Sequence, residues 1–196
     1  MLTQAEKRIL RKKLEDYNGN VTHLILNGEG LVCVGSAHVL PSLADALKLA
    51  FINSHGLRAS EAEITTDYNA IKQLSPNRIA SFYKRHLKLT VPSSEIERLT
   101  YESINQFYTD LTELYDGFDR FPSEAKLALF DIIFSMGPSE LGKWITFNEC
   151  VRAQNWQKAA LDSARPFPIT AVRNIYVQGL FEKAFRANKA ALLAEA

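Results

Sequence analysis

The sequence predicts an α+β fold, mostly helical, and three observations carry that prediction. Only two runs, VTHLIL (21–26) and LVCVGSA (31–37), read as strands; the NGEG between them is a hairpin signal, because Asn-Gly steps tolerate the positive φ of tight turns. Almost everything else repeats its apolar residues at helical spacing. The longest such stretch, in which Ile96, Leu99, Ile104, Phe107, Leu111 and Leu114 recur, would connect a hairpin-bearing front lobe (about 1–92) to a helical lobe (about 93–196). The expectation is a single domain of 196 residues, too short for two ordinary independent ones.

The elements follow in order. Thr3 and Glu6 have capping-box spacing, and Ala5, Ile9, Leu10 and Leu14 repeat behind them, so the first helix runs from about Thr3 to Tyr17 and ends at Gly19. After the hairpin, Pro41 and Ser42 open a helix through SLADALKLAFIN (42–53), and Ser60 with Glu63 caps another through EAEITTDYNAIKQL (61–74). Pro76 starts a further short helix. Beyond the connecting helix come PSEAKLALFDIIFSM (122–136), stopped by Gly137, then ELGKWITFNECVRAQ (140–154), WQKAALDSA (156–164) and a last helix from near Ile169. Phe130, Ile132, Ile133, Phe134, Trp144, Phe147 and Trp156 supply the core of this lobe.

Bulk properties exclude several function classes. With 46% hydrophobic and 23% charged residues the chain has the composition of a folded protein, not a disordered one. A net charge of +1 with scattered cations gives no basic face for nucleic acid. The densest basic run, KRILRKK (7–13), reads as a solvated helix face, with contact to a membrane surface or an anionic glycan as the alternative. Cys33 and Cys150 form neither a disulfide framework nor a metal-ligand pattern, so no metal and no cofactor is expected. No segment is apolar enough for long enough to span a bilayer, and MLTQAEKRIL has no apolar signal core. The chain is therefore expected to be made in the cytoplasm, with any export using a route that does not read an N-terminal signal.

The spacing Asn18-Gly19, Asn27, Cys33 and GSAH (35–38) resembles the phage-type lysozyme family, in the branch of pesticin-like and secretion-associated muramidases. In that family a helix ends in a catalytic Glu followed by Gly; an Asp follows nine residues later, a Thr six residues beyond it, and a G-x-G-H turn closes the hairpin. The register is kept here, but Asn18 stands at the Glu position, Asn27 at the Asp position and Cys33 at the Thr position. The later half resembles the family too. Phe134-Ser135-Met136-Gly137 matches a Phe-Asn-x-Gly step that lines the cleft, with Ser for Asn. FN at Phe147-Asn148, the Trp156 ahead of Ala159-Ala160, and AVRN (171–174) match the pattern that follows.

The resemblance implies a lysozyme-like fold whose acids are gone. Glycoside hydrolysis requires one carboxyl group to protonate the leaving oxygen and a second group to stabilise or attack the oxocarbenium-like centre. An amide has no titrating proton near neutral pH, and Asn is one methylene shorter than Glu, where a misplacement of about 1 Å costs on the order of a hundredfold. Asn27 lacks the negative charge that would favour a developing cation. The expectation is a catalytically degenerate protein that binds peptidoglycan or an amino-sugar fragment through Asn18, Asn27, Cys33, His38, Phe134 and Ser135, or that binds a protein partner from a bacterial secretion system, with export to the periplasm or a target cell. The alternative is an active muramidase using an acid from outside the family pattern, with Glu15, Asp16 and Glu29 the nearest in sequence. A Cys33 thiolate activated by His23 or His38 would be a nucleophile; a buried Cys33 would be a small apolar filler. Both amides precede glycine, and deamidation at Asn27 would regenerate an Asp.

Overall fold

The computed structural model describes residues 2–36, 38–76 and 78–194. It is mostly helical, 63% of the chain, with nine α-helices and one three-stranded antiparallel sheet of order β1-β2-β3 among the described residues. The α+β class is thus as the sequence predicts. Two compact units form, one from residues 11–103 and one from the residues up to 10 together with those from 104 onward. The division falls inside α1 (Gln4–Asn18) and inside α5 (Ser93–Leu114). No helix among the described residues is long and apolar enough to cross a membrane.

In the hairpin unit, β1 (Val21–Leu26) pairs with β2 (Val32–Gly35), and the register shifts by a bulge between Val21 and Ile25. The bulge lets the successive residues His23 and Leu24 both be buried, which strict alternation would forbid. The second strand is shorter than its apolar run suggests. The chain turns at Ser36 and returns as β3 (His38–Val39), a two-residue strand with too little pattern to be legible; Ala37 lies outside the described residues.

The helix expected over 42–53 stops early. The Ser42–Asp45 capping box starts α2 (Leu43–Leu47), but the apolar residues beyond it are engaged in strand-like bridges: the Ile52 N–H donates to the Thr90 carbonyl at 2.8 Å, and the Ala59 N–H to that of Phe51. Asn53 closes the intervening turn by accepting from the His55 and Leu57 amides. Next, α3 (Glu61–Lys72) carries the expected Ser60–Glu63 box. The short helix expected at Pro76 begins later, as α4 (Ala80–Lys84). The buried Tyr83 hydroxyl accepts from the Arg78 amide and sits 3.0 Å from the Ser75 carbonyl, which holds the approach to α4 out of helical form; Asn77 lies outside the described residues. Leu24, Leu26, Val34, Phe51, Ile71, Tyr83 and Ile96 form the core.

The second unit is helical. A 3-10 turn at Phe118–Arg120 leads into α6 (Ser123–Lys143), α7 (Ile145–Arg152), α8 (Trp156–Asp162) and α9 (Ala171–Ala194). As expected, the helix breaks at Gly137 (φ 79, ψ 163). The single helix expected over 140–154 is in fact two, parted at Trp144. The buried Asn148 amide donates to the Leu141 and Gly142 carbonyls, acceptors that an unbroken helix would use internally, while its oxygen accepts from the Tyr115 hydroxyl at 2.5 Å. The core is aromatic. Trp156 meets Phe121 edge-on at 5.1 Å and stacks on Phe181 at 6.2 Å; truncating so buried an indole costs about 3–5 kcal/mol.

Candidate functional site

Asn18 is the last residue of α1. Gly19, at φ 76, takes the left-handed conformation that terminates helices, and its N–H bonds the Glu15 carbonyl at 2.9 Å. The half-buried Asn18 amide donates to the Ser36 carbonyl at 3.4 Å, and the Ser36 hydroxyl donates to the Gly19 carbonyl at 3.0 Å. These two bonds stitch the helix end to the turn between β2 and β3. Gly35 at that turn is obligatory: its φ is 66, and a Cβ would stand 2.9 Å from a methyl of Ile96.

Asn27 does a different job. Its side-chain oxygen accepts from the Glu29 amide at 3.0 Å and the Leu31 amide at 2.9 Å, while its backbone pairs with Leu31 and Gly30. It is the fastening of the hairpin loop. Cys33 lies two residues past Leu31, 1% exposed in the central strand, its sulfur 3.5 Å from the Leu31 carbonyl. Burial pushes its thiol up to about 11, with Glu29 adding to the rise and a hydrogen bond at Asn27 opposing it. At neutral pH the thiolate fraction is on the order of one in ten thousand, which leaves no nucleophile. His23, once a candidate activator, is buried and bonds the Ala80 carbonyl at 2.8 Å instead.

His38 sits on β3 opposite Val34, and its Nδ1 approaches the Ser103 hydroxyl at 3.5 Å. Burial lowers its pKa below the ordinary value; Glu102 and Asp45 oppose that and Arg98 adds to it. It borders a cavity of about 640 Å³ whose lining also includes Asp45, Arg58, Glu95, Arg98 and Glu102. Arg98 bonds Glu95 at 2.7 Å and also bonds Glu102. Glu95, Arg98 and Glu102 share one face of α5 by their spacing, a signal present in the sequence but not singled out there.

The nearby acids are not gathered at Asn18 or Asn27. Glu15 faces Arg11 at 3.8 Å, Asp16 faces Lys13 at 3.4 Å, and Glu29 is exposed at the hairpin tip. No group of three or more His, Cys, Asp or Glu side chains among the described residues could hold a metal ion.

Phe134 and Ser135 belong to the helical unit. Phe134 meets Phe107 edge-on at 4.7 Å. The Ser135 hydroxyl donates to the Ile132 carbonyl and accepts from Arg165 at 2.6 Å. Arg165 also bonds Asp131 at 2.8 Å, and Arg173 grips the same carboxylate at 3.0 and 3.1 Å, all three residues being buried. Asn174 ties in through the Arg165 backbone. The AVRN signal thus marks a buried ionic network, and Asp131, an acid inside the apolar run LFDII, was its unread partner.

No family model matches the chain, and no curated protein matches its sequence.

Proposed function

We propose that this protein is a lysozyme-type glycan-binding protein without muramidase chemistry, its ligand peptidoglycan or an amino-sugar fragment of it. One observation carries the reading. At the three positions where the resemblance would place the reacting groups, Asn18 is bonded to the Ser36 carbonyl, Asn27 fastens the hairpin loop, and Cys33 is a buried protonated thiol. None of these groups delivers a proton to a glycosidic oxygen or places negative charge beside a cationic centre. Amide and imidazole groups at Asn18 and His38 remain suited to hydroxyl and acetamido groups, the chemistry of sugar recognition.

Sedimentation with purified peptidoglycan, run beside a turbidity assay, tests this. The unmodified chain is expected to co-sediment without clearing the suspension, and Asn18→Ala with His38→Ala to weaken co-sedimentation. Clearing that Glu15→Gln, Asp16→Asn or Glu29→Gln abolishes would install the rival, a muramidase with a non-family acid. Failure to co-sediment, with capture of a secretion-system protein in its place, would replace the glycan by a protein partner. Lysis by the combined Asn18→Glu, Asn27→Asp, Cys33→Thr variant would support the lysozyme lineage, and a folded but inert variant would count against it.

A further inference from the structure

Between Asp67 and Glu95 the chain contains no acid, yet it carries Lys72, Arg78, Lys84, Arg85, His86 and Lys88. All six side chains belong to exposed residues of the hairpin unit. Among the described residues, no carboxylate stands within ion-pair distance of the five lysines and arginines. Asp67, the acid nearest in sequence, is buried and faces the other way chemically, accepting from the backbone amides of Lys88 and Leu89. The basic run on α1 is the contrast: Arg11 has Glu97 at 3.0 Å, Lys13 has Asp16, and Lys7 has Asn105. On α1, Arg11 and Lys13 thus have acids beside them, whereas among the described residues none of the five lysines and arginines between Lys72 and Lys88 does.

Apolar groups sit among these cations. Ile79, at the start of α4, is 76% exposed. Phe82 on the next turn is half-buried, with the Arg78 and Arg85 guanidinium groups 6.0 and 5.8 Å from its ring centroid and the His86 ring at 5.2 Å. The Arg78 and Arg85 guanidinium groups gather at one ring, and among the described residues neither has a carboxylate within ion-pair distance to offset their repulsion.

We propose that this surface docks on an anionic lipid bilayer, the cations meeting phosphate headgroups and Ile79 entering the interface. Cations flanking an exposed aliphatic side chain fit a lipid surface, where charge and apolar insertion both contribute. A nucleic acid fits less well: the Phe82 ring is already occupied by two guanidinium groups and an imidazole, so it offers no platform for base stacking.

The test is co-sedimentation of the full chain with phosphatidylcholine vesicles, with and without phosphatidylglycerol. Binding is expected only where phosphatidylglycerol is present, and it should weaken as salt rises. Each cation removed from the interface lowers the partition coefficient about fivefold, so Lys84→Glu with Arg85→Glu should lower it at least about twenty-fivefold. Arg8→Glu with Lys12→Glu on α1 should leave it within about twofold. Ile79→Ser should weaken vesicle binding while leaving retention on a soluble polyanion column unchanged. All these positions are exposed, and far-UV circular dichroism confirms that each variant is folded. No binding to phosphatidylglycerol vesicles, binding indifferent to the Lys84/Arg85 reversal, or tighter binding to an oligonucleotide than to vesicles would each overturn the proposal.

Discussion

The two units satisfy their polar side chains with different partners, backbone groups in one and opposite charges in the other. In the hairpin unit the polar side chains bond backbone: Asn18 to Ser36, Asn27 to Glu29 and Leu31, His23 to Ala80, and even the buried carboxylate of Asp67 is held by the Lys88 and Leu89 amides and, among the described residues, by no cation. In the helical unit a buried ionic network stands beside the aromatic core, with Asp131 gripped by Arg165 and Arg173. The difference follows from what each unit lacks. A small sheet with short helices leaves turn amides to be satisfied one by one, which an amide side chain does without bringing charge into the core. Long packed helices satisfy their own backbone, so a side-chain network there links elements far apart in sequence, in this case α6 with α9 and the segment before it.

The largest effect should come from breaking the ionic network. Asp131→Ala removes the carboxylate that two buried guanidinium groups share, which costs about 3–5 kcal/mol. Urea unfolding measures it. A loss no greater than that of a hairpin substitution would show that water or local rearrangement compensates, and the contrast between the units would fail.

The corresponding cut in the hairpin unit is milder. Asn27→Ala leaves the Glu29 and Leu31 amides without their acceptor at a partly exposed loop, for a loss of about 1–2 kcal/mol. Asn27→Asp keeps both acceptors and should fall within about 0.5 kcal/mol of the unmodified chain. If the alanine variant were as stable as the aspartate variant, Asn27 would not be the fastening described above.

These two cuts also mark what was legible in the sequence. The hairpin, the capping boxes at Thr3–Glu6 and Ser60–Glu63 and the break at Gly137 were visible, because each depends on neighbours within a few residues. Elements decided by distant partners were not. The helix over 42–53 was overruled by the Ile52–Thr90 bridge, and the helix over 140–154 by Asn148 of α7 taking carbonyls at the end of α6 under the hold of Tyr115. Of the candidate site, the positions could be named but not their duties: that Asn27 is held by two loop amides and Cys33 by burial depends on three-dimensional surroundings. The basic run was likewise visible on α1, but sequence shows where cations stand and not which acids answer them: among the described residues Arg11 and Lys13 have acids beside them, and the lysines and arginines between Lys72 and Lys88 do not.

The smallest effect concerns pH, and it sharpens the contrast from the neutral side. Burial holds the His23 pKa below its ordinary value of 6.5, with Lys84 adding to the depression and the bond to the Ala80 carbonyl opposing it. The unfolded chain therefore takes up the proton first as pH falls, so His23 contributes stability that is present above about 6.5 and is lost below it, toward the folded-state pKa. The depressed His38 acts in the same direction. His23→Gln keeps a donor for the Ala80 carbonyl but does not titrate, so its unfolding free energy should fall less than that of the unmodified chain between about pH 7 and pH 5. Parallel slopes for the two proteins across that window would mean that His23 titrates alike in the folded and unfolded states, and that the hairpin unit's neutrality at this position does not depend on burial.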